Sequence, residues 1–338
     1  MIKGYATLKD VAEEAGTTAA TVSYVLSNKQ GRYISEEMRT RVLKAVDELG
    51  YIKSIGASHL KGKERRLVGL LVPQFENQFF TRIITASENE LVAAGFDLMI
   101  CDTLDSPERE KDILRRMMEQ RVDGVILAPT QMGMENTEIL RRVGMKMVIV
   151  DRPLMGFLEY NWVTTDNYNC GEVAAQYLHS KGHKKIAFVG WSSGIDDLDS
   201  RGRAVVETME KYSQDKVILV NGGFSREEGY RLTEVILDEH PEVTSIVYGF
   251  NIQAAGGVCC LRDRKIAIPE DMSVVITGSP DWVNTGNNNF TYIDQNEKEL
   301  GRKAANLLIK TMRGIVDQFE HVIQDCSIVE GDSVIDMN

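Results

Sequence analysis

The sequence predicts an all-α helix-turn-helix headpiece of about fifty residues, followed by a larger α/β domain of two lobes with doubly wound parallel sheets. Two observations predict this fold class. The first fifty residues carry helix signals, whereas from Arg66 onward short apolar runs typical of buried strands alternate with helical patterns. About ten strands are many for a single sheet, so two lobes are favoured over one.

The headpiece opens with the helix-turn-helix pattern. Thr7 precedes an apolar helix over residues 8–15, a turn follows at Gly16-Thr17-Thr18, and a second helix covers residues 19–26. Two short helices joined by a tight, Gly-containing turn can place the second helix in a DNA major groove. The rest of the chain is then most simply interpreted as the part that decides when DNA is bound.

A third helix and a short polar segment complete the head. Ser35 can cap the third helix, and Gly50 ends it. Residues 51–61 favour a further helix of one or two turns, which Ser54 can cap and which Gly56 weakens by ~1 kcal/mol relative to Ala. Since isolated helices this short are marginal, we expect this segment to become helical only against DNA and a partner copy.

The α/β domain follows from eight strand-like runs and the helical patterns between them. Apolar strands separated by helices indicate parallel sheets, in which ligands bind at the carboxyl ends of the strands. The strand-like runs are Leu67–Val72, Phe96–Ile100, Gly124–Leu127, Met147–Val150, Lys185–Val189, Val217–Val220, Thr244–Tyr248 and Ser273–Ile276, and the helical segments include Gln78–Ala93, Pro107–Gln120, Tyr168–Ser180 and Arg226–Asp238.

Charge is divided unevenly along the chain. The net charge is −11, yet residues 1–66 hold 12 Lys/Arg and 8 Asp/Glu, whereas residues 67–338 hold 27 and 42. A basic head can meet phosphates while an acidic body is repelled by them. This balance alone is a weak signal, because many solvated helix faces reach it.

Several classes of protein are disfavoured. The sequence has no apolar run near 18 residues, and Met1–Tyr5 lacks the apolar core of a signal peptide, so we expect a cytoplasmic, nucleoid-associated protein with no membrane partner. The five cysteines lack metal-ligand spacing and are expected to be free thiols, with no metal or cofactor. Because nucleotide and hydrolase motifs are absent and His183 is interpreted as a turn residue, we do not expect an enzyme.

Short motifs recur in a fixed order along nearly the whole chain. They are Thr7–Ala12 and Thr21–Ser23 in the helix-turn-helix, Tyr51, Ala57 and Leu60 in the segment that follows the third helix, and Asp151–Leu154, Asp166-Asn167, Gly171, Tyr177-Leu178, Gly182-His183, Ile268–Asp271, Thr291, Gln295 and Leu300-Gly301 in the α/β domain. Together they resemble the lactose-repressor/galactose-repressor (LacI/GalR) family of bacterial transcription regulators. Each short match is weak, and their joint order and spacing carry the resemblance.

The resemblance implies a headpiece at 1–50, a hinge helix and linker at 51–65, and an effector-binding and dimerisation domain at 66–338 like the periplasmic sugar-binding proteins. It also implies three crossovers between the lobes, near Thr165, Gln295 and Glu320. Lobe one would then hold about 66–165 and 296–320, and lobe two about 166–295 and 321–338. Family members act as dimers on palindromic operators, so we expect a homodimeric repressor that binds double-stranded operator DNA.

The resemblance also assigns DNA contacts. Base choice would fall to Ala19, Ala20 and Tyr24, where two alanines can touch a thymine methyl but donate no hydrogen bond. Leu60 would wedge between base pairs in the minor groove and kink the duplex. Further contacts are expected from Thr7, Thr18, Thr21, Ser23 and Asn28 on phosphates, with helix capping as the alternative role, and from Arg32, Ala57 and Lys61.

An effector cleft between the lobes is the second site that the resemblance implies. Arg201 could bind hydroxyls, a carboxylate or a phosphate, or it could form an ion pair with Asp197 or Asp199. Phe75 and Phe224 could face a sugar ring or simply pack in the core. The full set is Phe75, Asn77, Phe80 and Asp151 from lobe one, and Arg201, Phe224, Phe250, Asn251, Gly278 and Gln295 from lobe two.

The cleft departs from the family pattern at two acidic positions. Phe250-Asn251 stands where the family has an Asn-Asp pair, and Ile276–Ser279 stands where it has Gly-Phe-Asp-Asp. Loss of buried acceptors disfavours a neutral polyol, so we expect a sugar phosphate, another anionic metabolite or a more apolar small molecule. The alternatives are a degenerate pocket under the control of a partner protein, and a sugar-binding protein without a regulatory role.

Overall fold

A computed structural model gives the structure of the chain. It describes residues 6–27, 33–51, 65–130, 134–152, 159–191, 199–212, 216–284 and 289–338. The chain consists of two compact units, residues 1–64 and residues 65–338.

The first unit contains three helices, α1 (Leu8–Glu14), α2 (Ala19–Ser27) and α3 (Glu36–Glu48). Each begins where the sequence predicts a helix. Ser35 caps α3 by accepting a hydrogen bond from the N–H of Met38, and Gly50 follows α3 with a φ of +58° that favours glycine. Their apolar faces meet in one core, and Tyr51 belongs to it although the sequence placed it in the hinge; the core is Val11, Ala12, Ala15, Val22, Val25, Val42, Ala45 and Tyr51.

The second unit contains two six-stranded sheets, one in each lobe. The sheet of lobe one has the order β11-β5-β4-β3-β1-β2 with every described pair parallel, and that of lobe two has the order β12-β10-β9-β8-β6-β7 with β12 antiparallel. The strands are β1 (Leu67–Val72), β2 (Asp97–Asp102), β3 (Gly124–Leu127), β4 (Lys146–Val150), β5 (Asn161–Thr165), β6 (Ile186–Trp191), β7 (Ile218–Gly222), β8 (Ser245–Tyr248), β9 (Ser273–Thr277), β10 (Thr291–Asp294), β11 (His321–Gln324) and β12 (Ser327–Val329).

Helices cover both faces of each sheet. In lobe one, α4 and α11 pack on one face and α5 and α6 on the other; in lobe two, α9 and α10 oppose α7 and α8. This confirms the predicted doubly wound architecture. The helices are α4 (Gln78–Ala93), α5 (Pro107–Glu119), α6 (Met134–Arg142), α7 (Asn167–Ser180), α8 (Ser200–Tyr212), α9 (Arg226–Glu239), α10 (Asn251–Asp263) and α11 (Glu297–Met312).

Three crossovers join the lobes, and the third does not lie at the position that the sequence predicted. The first follows Thr165, and the second lies at Gln295-Asn296, close to their expected positions. The third was expected near Glu320. It instead follows Gln324, because residues 321–324 form β11 and pair with β5 in lobe one. The segment of lobe two therefore begins at Asp325.

Candidate nucleic-acid interface and interlobe cleft

One face of α2 is free of the headpiece core. Val22 and Val25 point into the core, whereas Ala19, Ala20 and Ser23 are exposed. Thr21 and Tyr24 are half-buried at the border of this face. The residues predicted to choose bases thus share one surface of the second helix, and small side chains leave its backbone open to close approach by a groove.

Thr7 and Thr18 both serve as caps in this structure. The Thr7 hydroxyl oxygen accepts from the N–H of Asp10 at 3.3 Å, and the Thr7 N–H donates to the Asp10 carboxylate at 2.7 Å. The Thr7 hydroxyl also donates to the Asp10 carboxylate at 2.7 Å, and the two bonds that this carboxylate accepts, from the N–H and the hydroxyl of Thr7, hold the pKa of Asp10 below its usual value. The Thr18 hydroxyl oxygen likewise accepts from the N–H of Thr21 at 3.2 Å. The capping role is therefore present, while both threonines stay exposed at the start of their helices.

The positive charge of the head is concentrated at its connecting segments. Residues 6–27 and 33–51 together hold 4 Lys/Arg and 7 Asp/Glu. The excess of basic residues over the first 66 positions therefore comes from the other segments, including 28–32 and 52–66. The predicted contacts that lie outside the described residues fall there, and they are Asn28, Arg32, Ala57, Leu60 and Lys61.

A cavity of about 420 Å³, including the solvent space at its mouth, lies between the two lobes at the carboxyl ends of their strands. Asp151 follows β4, Thr277 ends β9, and Gln295 follows β10. Eight of the ten predicted effector residues line this cavity, together with four others. The lining is Asn77, Phe79, Phe80, Asp151, Arg152, Arg201, Phe224, Gly249, Phe250, Asn251, Thr277 and Gln295.

Arg201 is held firmly on the side of lobe two. Its guanidinium donates to the carbonyl of Gly249 at 3.0 Å and to the side-chain oxygen of Asn167 at 2.6 Å, and it stacks over the Phe250 ring at 4.6 Å from the centroid. Its own backbone N–H donates to the Asp199 carboxylate. Because both acceptors are neutral oxygens, they fix the guanidinium without neutralising its positive charge, which remains available to an anionic ligand.

Asp151 faces Arg201 from lobe one. Burial raises the pKa of this carboxyl, and the positive charges of Arg152 and Arg201 oppose that rise. Its backbone has a φ of +68°, in the left-handed region that residues with a side chain adopt uncommonly. Among the described residues that line the cavity, Asp151 is the acidic one, and its carboxylate can accept a hydrogen bond from a hydroxyl or an amine of a ligand.

Two buried donors on the cleft have no partner within the described residues. They are Nε of Arg201 and the amide nitrogen Nε2 of Gln295. A buried donor without an acceptor costs about 1–3 kcal/mol, so both atoms favour a ligand or water that brings oxygen acceptors.

Aromatic rings form two opposite parts of the wall. Phe79 and Phe80 meet edge to face at 5.1 Å between centroids, and Phe224 and Phe250 do so at 5.0 Å. Phe79 and Phe80 also belong to the core of lobe one, so they serve both the core and the cleft.

The family comparisons point in the same direction as this geometry. Residues 7–54 match the family described as bacterial regulatory proteins, lacI family, and residues 175–334 match the periplasmic binding protein-like domain. The chain belongs to the lacI family. It is a DNA-binding transcriptional regulator, and members of this family are not enzymes.

Relatives of this lacI-family protein cover almost all of it. The transcriptional repressor PurR of Vibrio atlanticus is 28% identical over 91% of this chain and 92% of its own, and the ribose operon repressor of Halalkalibacterium halodurans is 29% identical over 90% and 89%. A lacI-family transcriptional regulator from Silicibacter pomeroyi has the same fold, with a TM-score of 0.82 and 25% identity over 98% of this chain and 99% of its own.

Two predicted effector residues lie outside the cavity lining of this lacI-family protein. Phe75 is 42% exposed and its ring points to solvent, while its backbone N–H donates to the Asp102 carboxylate at 3.0 Å. Gly278 has a φ of +94° and no side chain to reach inward, although a Cβ there would lie 3.5 Å from Asn251.

Four lining residues escaped the sequence analysis, namely Phe79, Arg152, Gly249 and Thr277. Each is a chain neighbour of a predicted position. Arg152 adjoins Asp151 and forms an ion pair with Asp105 at 2.8 Å. Adjacency to a predicted residue was thus the available signal, and adjacency alone does not determine which side chains face into the cavity.

Within the described ranges, His, Cys, Asp and Glu side chains form no group that could hold a metal ion. The described helices also include none long and apolar enough to cross a bilayer.

Proposed function

We propose that this regulator is a repressor that binds a palindromic operator as a homodimer and responds to a small effector carrying oxygen acceptors, such as a carboxylate or phosphate. The observation that carries the effector class is the pair of unpartnered donors, Arg201 Nε and Gln295 Nε2, on the wall of the cleft. A hydroxyl oxygen can accept from either donor, but a carboxylate or phosphate offers several acceptor oxygens together with a negative charge that complements Arg201.

Charge on the cleft wall favours the same class of effector. Arg201 is 7% exposed and its guanidinium is fixed by neutral oxygens, so an incoming anion meets a desolvated positive charge. Asn251 and Gly278 replace two acidic positions of the family and remove the repulsion that an anion would otherwise meet. The single carboxylate of Asp151 can accept from one hydroxyl or amine of the same molecule.

The aromatic rings indicate the shape of the effector. Phe80 and the Phe224–Phe250 pair line the cavity beside the polar groups, which suits a flat or ring-shaped molecule. The effector is therefore a small ring compound with an acceptor-rich or anionic end at Arg201 and a donor near Asp151.

Control of DNA binding follows from a difference in affinity between two states. An effector that binds the closed lobes better than the open lobes shifts the protein towards the closed form, and one that binds both equally shifts nothing. The operator affinity then changes with the state of the core domain.

The DNA-binding part is tested by selecting duplexes from a randomised pool with the purified full-length protein at two salt concentrations. We expect enrichment of a palindrome with a flexible central step, and an affinity that falls steeply as salt rises. Enrichment of a single, asymmetric site by a protein that is monomeric on DNA would contradict the homodimer.

The effector part is tested by calorimetry with two matched probes, ribose and ribose 5-phosphate. We expect the phosphate to bind at least tenfold more tightly, and the Gln295→Leu variant to lose part of that affinity. Gln176→Leu, at an exposed position of α7, is the matched control and should leave binding unchanged. If a wider calorimetric screen finds that neutral sugars alone bind, the acceptor-rich effector is wrong.

A further inference from the structure

A short turn carries one of the rings that face the cleft. The turn lies between β7 and α9 and contains Gly223 and Phe224, after which Ser225 caps α9. Phe224 lines the cavity and meets Phe250 edge to face. The position of the Phe224 ring therefore depends on how firmly the turn is held.

Both polar backbone groups of Gly223 are held by side chains. Its N–H donates to the Glu228 carboxylate at 3.1 Å, and its carbonyl accepts from the side-chain amide of Gln253 at 3.0 Å. The carbonyl belongs to the peptide bond that continues into Phe224. The side chains of Glu228 and Gln253 thus form a clamp on Gly223, which fixes the direction in which the chain enters Phe224.

Gln253 also ties the turn to a neighbouring strand. The residue lies in the first turn of α10 and is fully buried. Its amide nitrogen donates a second hydrogen bond, 2.9 Å long, to the carbonyl of Gly190 in β6. Because both partners are carbonyl oxygens, only the amide nitrogen can make these bonds, and the orientation of the amide follows from them. One side chain thus joins the end of β6 to the turn after β7.

Glu228 stays ionised beside Gly223 because of a charged neighbour. Its carboxylate accepts two bonds of 2.9 Å from the guanidinium of Arg231. These bonds, together with the bond from the Gly223 N–H, lower the pKa of Glu228 to about 2. A Cβ at Gly223 would lie 3.1 Å from the Glu228 side chain, so glycine leaves room for the contact.

We propose that Gln253 and Glu228 are positioning residues for the effector, because together they hold the turn that carries the Phe224 ring. They thereby set how strongly the protein prefers a ring-bearing anion to a bare anion. This inference rests on the proposed function, in which a ring-shaped effector with an anionic end occupies the cleft.

The anion-binding side of the cleft does not depend on the clamp. Arg201 is fixed by the Asn167 side chain and the Gly249 carbonyl, neither of which belongs to the clamp. A loosened clamp should therefore reduce the affinity for a ring-bearing phosphate, while the affinity for inorganic phosphate stays the same.

Calorimetry on the full-length protein with ribose 5-phosphate and with inorganic phosphate tests this. Gln253→Met removes both amide bonds at similar side-chain length. It also removes the buried amide oxygen, which has no partner among the described residues, so we expect the variant to fold. Its affinity for ribose 5-phosphate should fall about three- to tenfold, with inorganic phosphate unaffected. Combining Gln253→Met with Phe224→Ala should cost no more than Phe224→Ala alone, because the clamp acts through that ring.

Glu228 supplies a second, independent set of variants. Glu228→Leu releases the Gly223 N–H and should also weaken ribose 5-phosphate binding, whereas Glu228→Gln keeps an acceptor oxygen and should retain most of the affinity. Arg231→Leu is the matched control, because it breaks the pair with Glu228 and leaves the bond to Gly223 in place.

Three results would overturn the proposal. The clamp variants could bind ribose 5-phosphate as tightly as the unaltered protein, they could lose inorganic phosphate to the same extent, or their effect could add to that of Phe224→Ala. Failure of the unaltered protein to bind either phosphate would instead contradict the proposed effector class, and this inference would fall with it.

Discussion

The guanidinium of Arg82 and the carboxylate of Asp281 form an ion pair of 2.7 Å that joins lobe one to lobe two. Gln78 reinforces it, because its amide donates to the Asp281 carboxylate at 2.9 Å and accepts from the Asp281 N–H at 2.7 Å. A further bond of 3.2 Å runs from Asn251 to Asn77 across the cleft. These contacts between the two lobes stabilise their close arrangement, and none of them requires an effector.

Replacing Asp281 should weaken lobe closure. Asp281→Ala removes an ion pair whose carboxylate is 77% exposed, so we expect a cost of about 0.5–1 kcal/mol to the closed state. Effector affinity should fall about two- to fivefold if the effector binds the closed lobes, as measured by calorimetry. Glu138→Ala breaks a pair with Arg141 inside lobe one and is the control. Equal affinities for Asp281→Ala and the unaltered protein would show that the pair has no role in closure.

A change on the open face of α2 should alter base choice. Ala20 is exposed and Gln is a good helix former, so Ala20→Gln should fold normally. Its amide can bind adenine through a donor and an acceptor, and we expect a new preference for adenine at one position of each half-site, worth about 1–3 kcal/mol. Duplex selection with both proteins measures it. An unchanged motif would exclude Ala20 from the base-reading surface.

Acid should destabilise the core domain through His183. The ring is fully buried, with Nδ1 2.9 Å from the Thr244 hydroxyl and Nε2 3.1 Å from the Ile335 carbonyl. Burial lowers its pKa below 6.5, against the raising effects of the Ile335 carbonyl and the Asp336 carboxylate. Since the unfolded chain binds the proton more readily, the stabilising contribution is complete above pH 6.5 and declines as the pH falls towards the folded pKa.

Urea unfolding at several pH values tests this linkage. The unaltered protein should lose up to about 1.4 kcal/mol per pH unit from this group below pH 6.5. His183→Gln should be less stable at pH 8 and lose less on acidification. His240→Gln, at a half-buried position of lobe two, should retain the original pH dependence. Parallel pH profiles for all three proteins would contradict the assignment.

A methyl group at Gly171 should force α7 and α8 apart. A Cβ there would lie 2.1 Å from the backbone carbonyl of Arg201, and backbone cannot move aside as a flexible side chain can. We expect Gly171→Ala to destabilise the protein by about 1–3 kcal/mol and to displace Arg201 from the cleft. Chemical unfolding and effector titration measure the two effects. Gln176→Ala on the exposed side of α7 supplies the reference, and comparable stability of the two variants would refute the close packing.

Long apolar runs carried most of the fold prediction. All eight strand-like runs correspond to strands of the structure, with ends that differ by one or two residues. The strands that were missed are β5, β10, β11 and β12. They are short, and β11 buries its residues only in part, so their sequences lack the continuous apolar pattern of a central strand. Pairing with a distant segment, which local sequence does not record, makes them strands.

The positions of the cleft residues along the chain were predictable, whereas the directions of their side chains were less so. The family resemblance pointed to Asp151, Asn251 and Gln295, and in the structure all three follow strands whose carboxyl ends converge on the cleft. Phe75 also follows a strand, yet Asp102 binds its N–H and the ring faces solvent. The side-chain direction of such a loop residue depends on its tertiary surroundings, which strand order does not record.

The three crossovers also set the order in which the protein can be completed during synthesis. The core of lobe one needs Leu300, Ala304 and Leu308 of α11, which leave the ribosome after nearly all of lobe two has been made. Lobe two in turn needs β12 and Ser333, whose hydroxyl donates to the Val274 carbonyl. The headpiece has a core of its own within the first 51 residues. A nascent chain can therefore form its DNA-binding helices long before either lobe is whole, and premature termination between residue 51 and α11 would release a headpiece without a complete sensor.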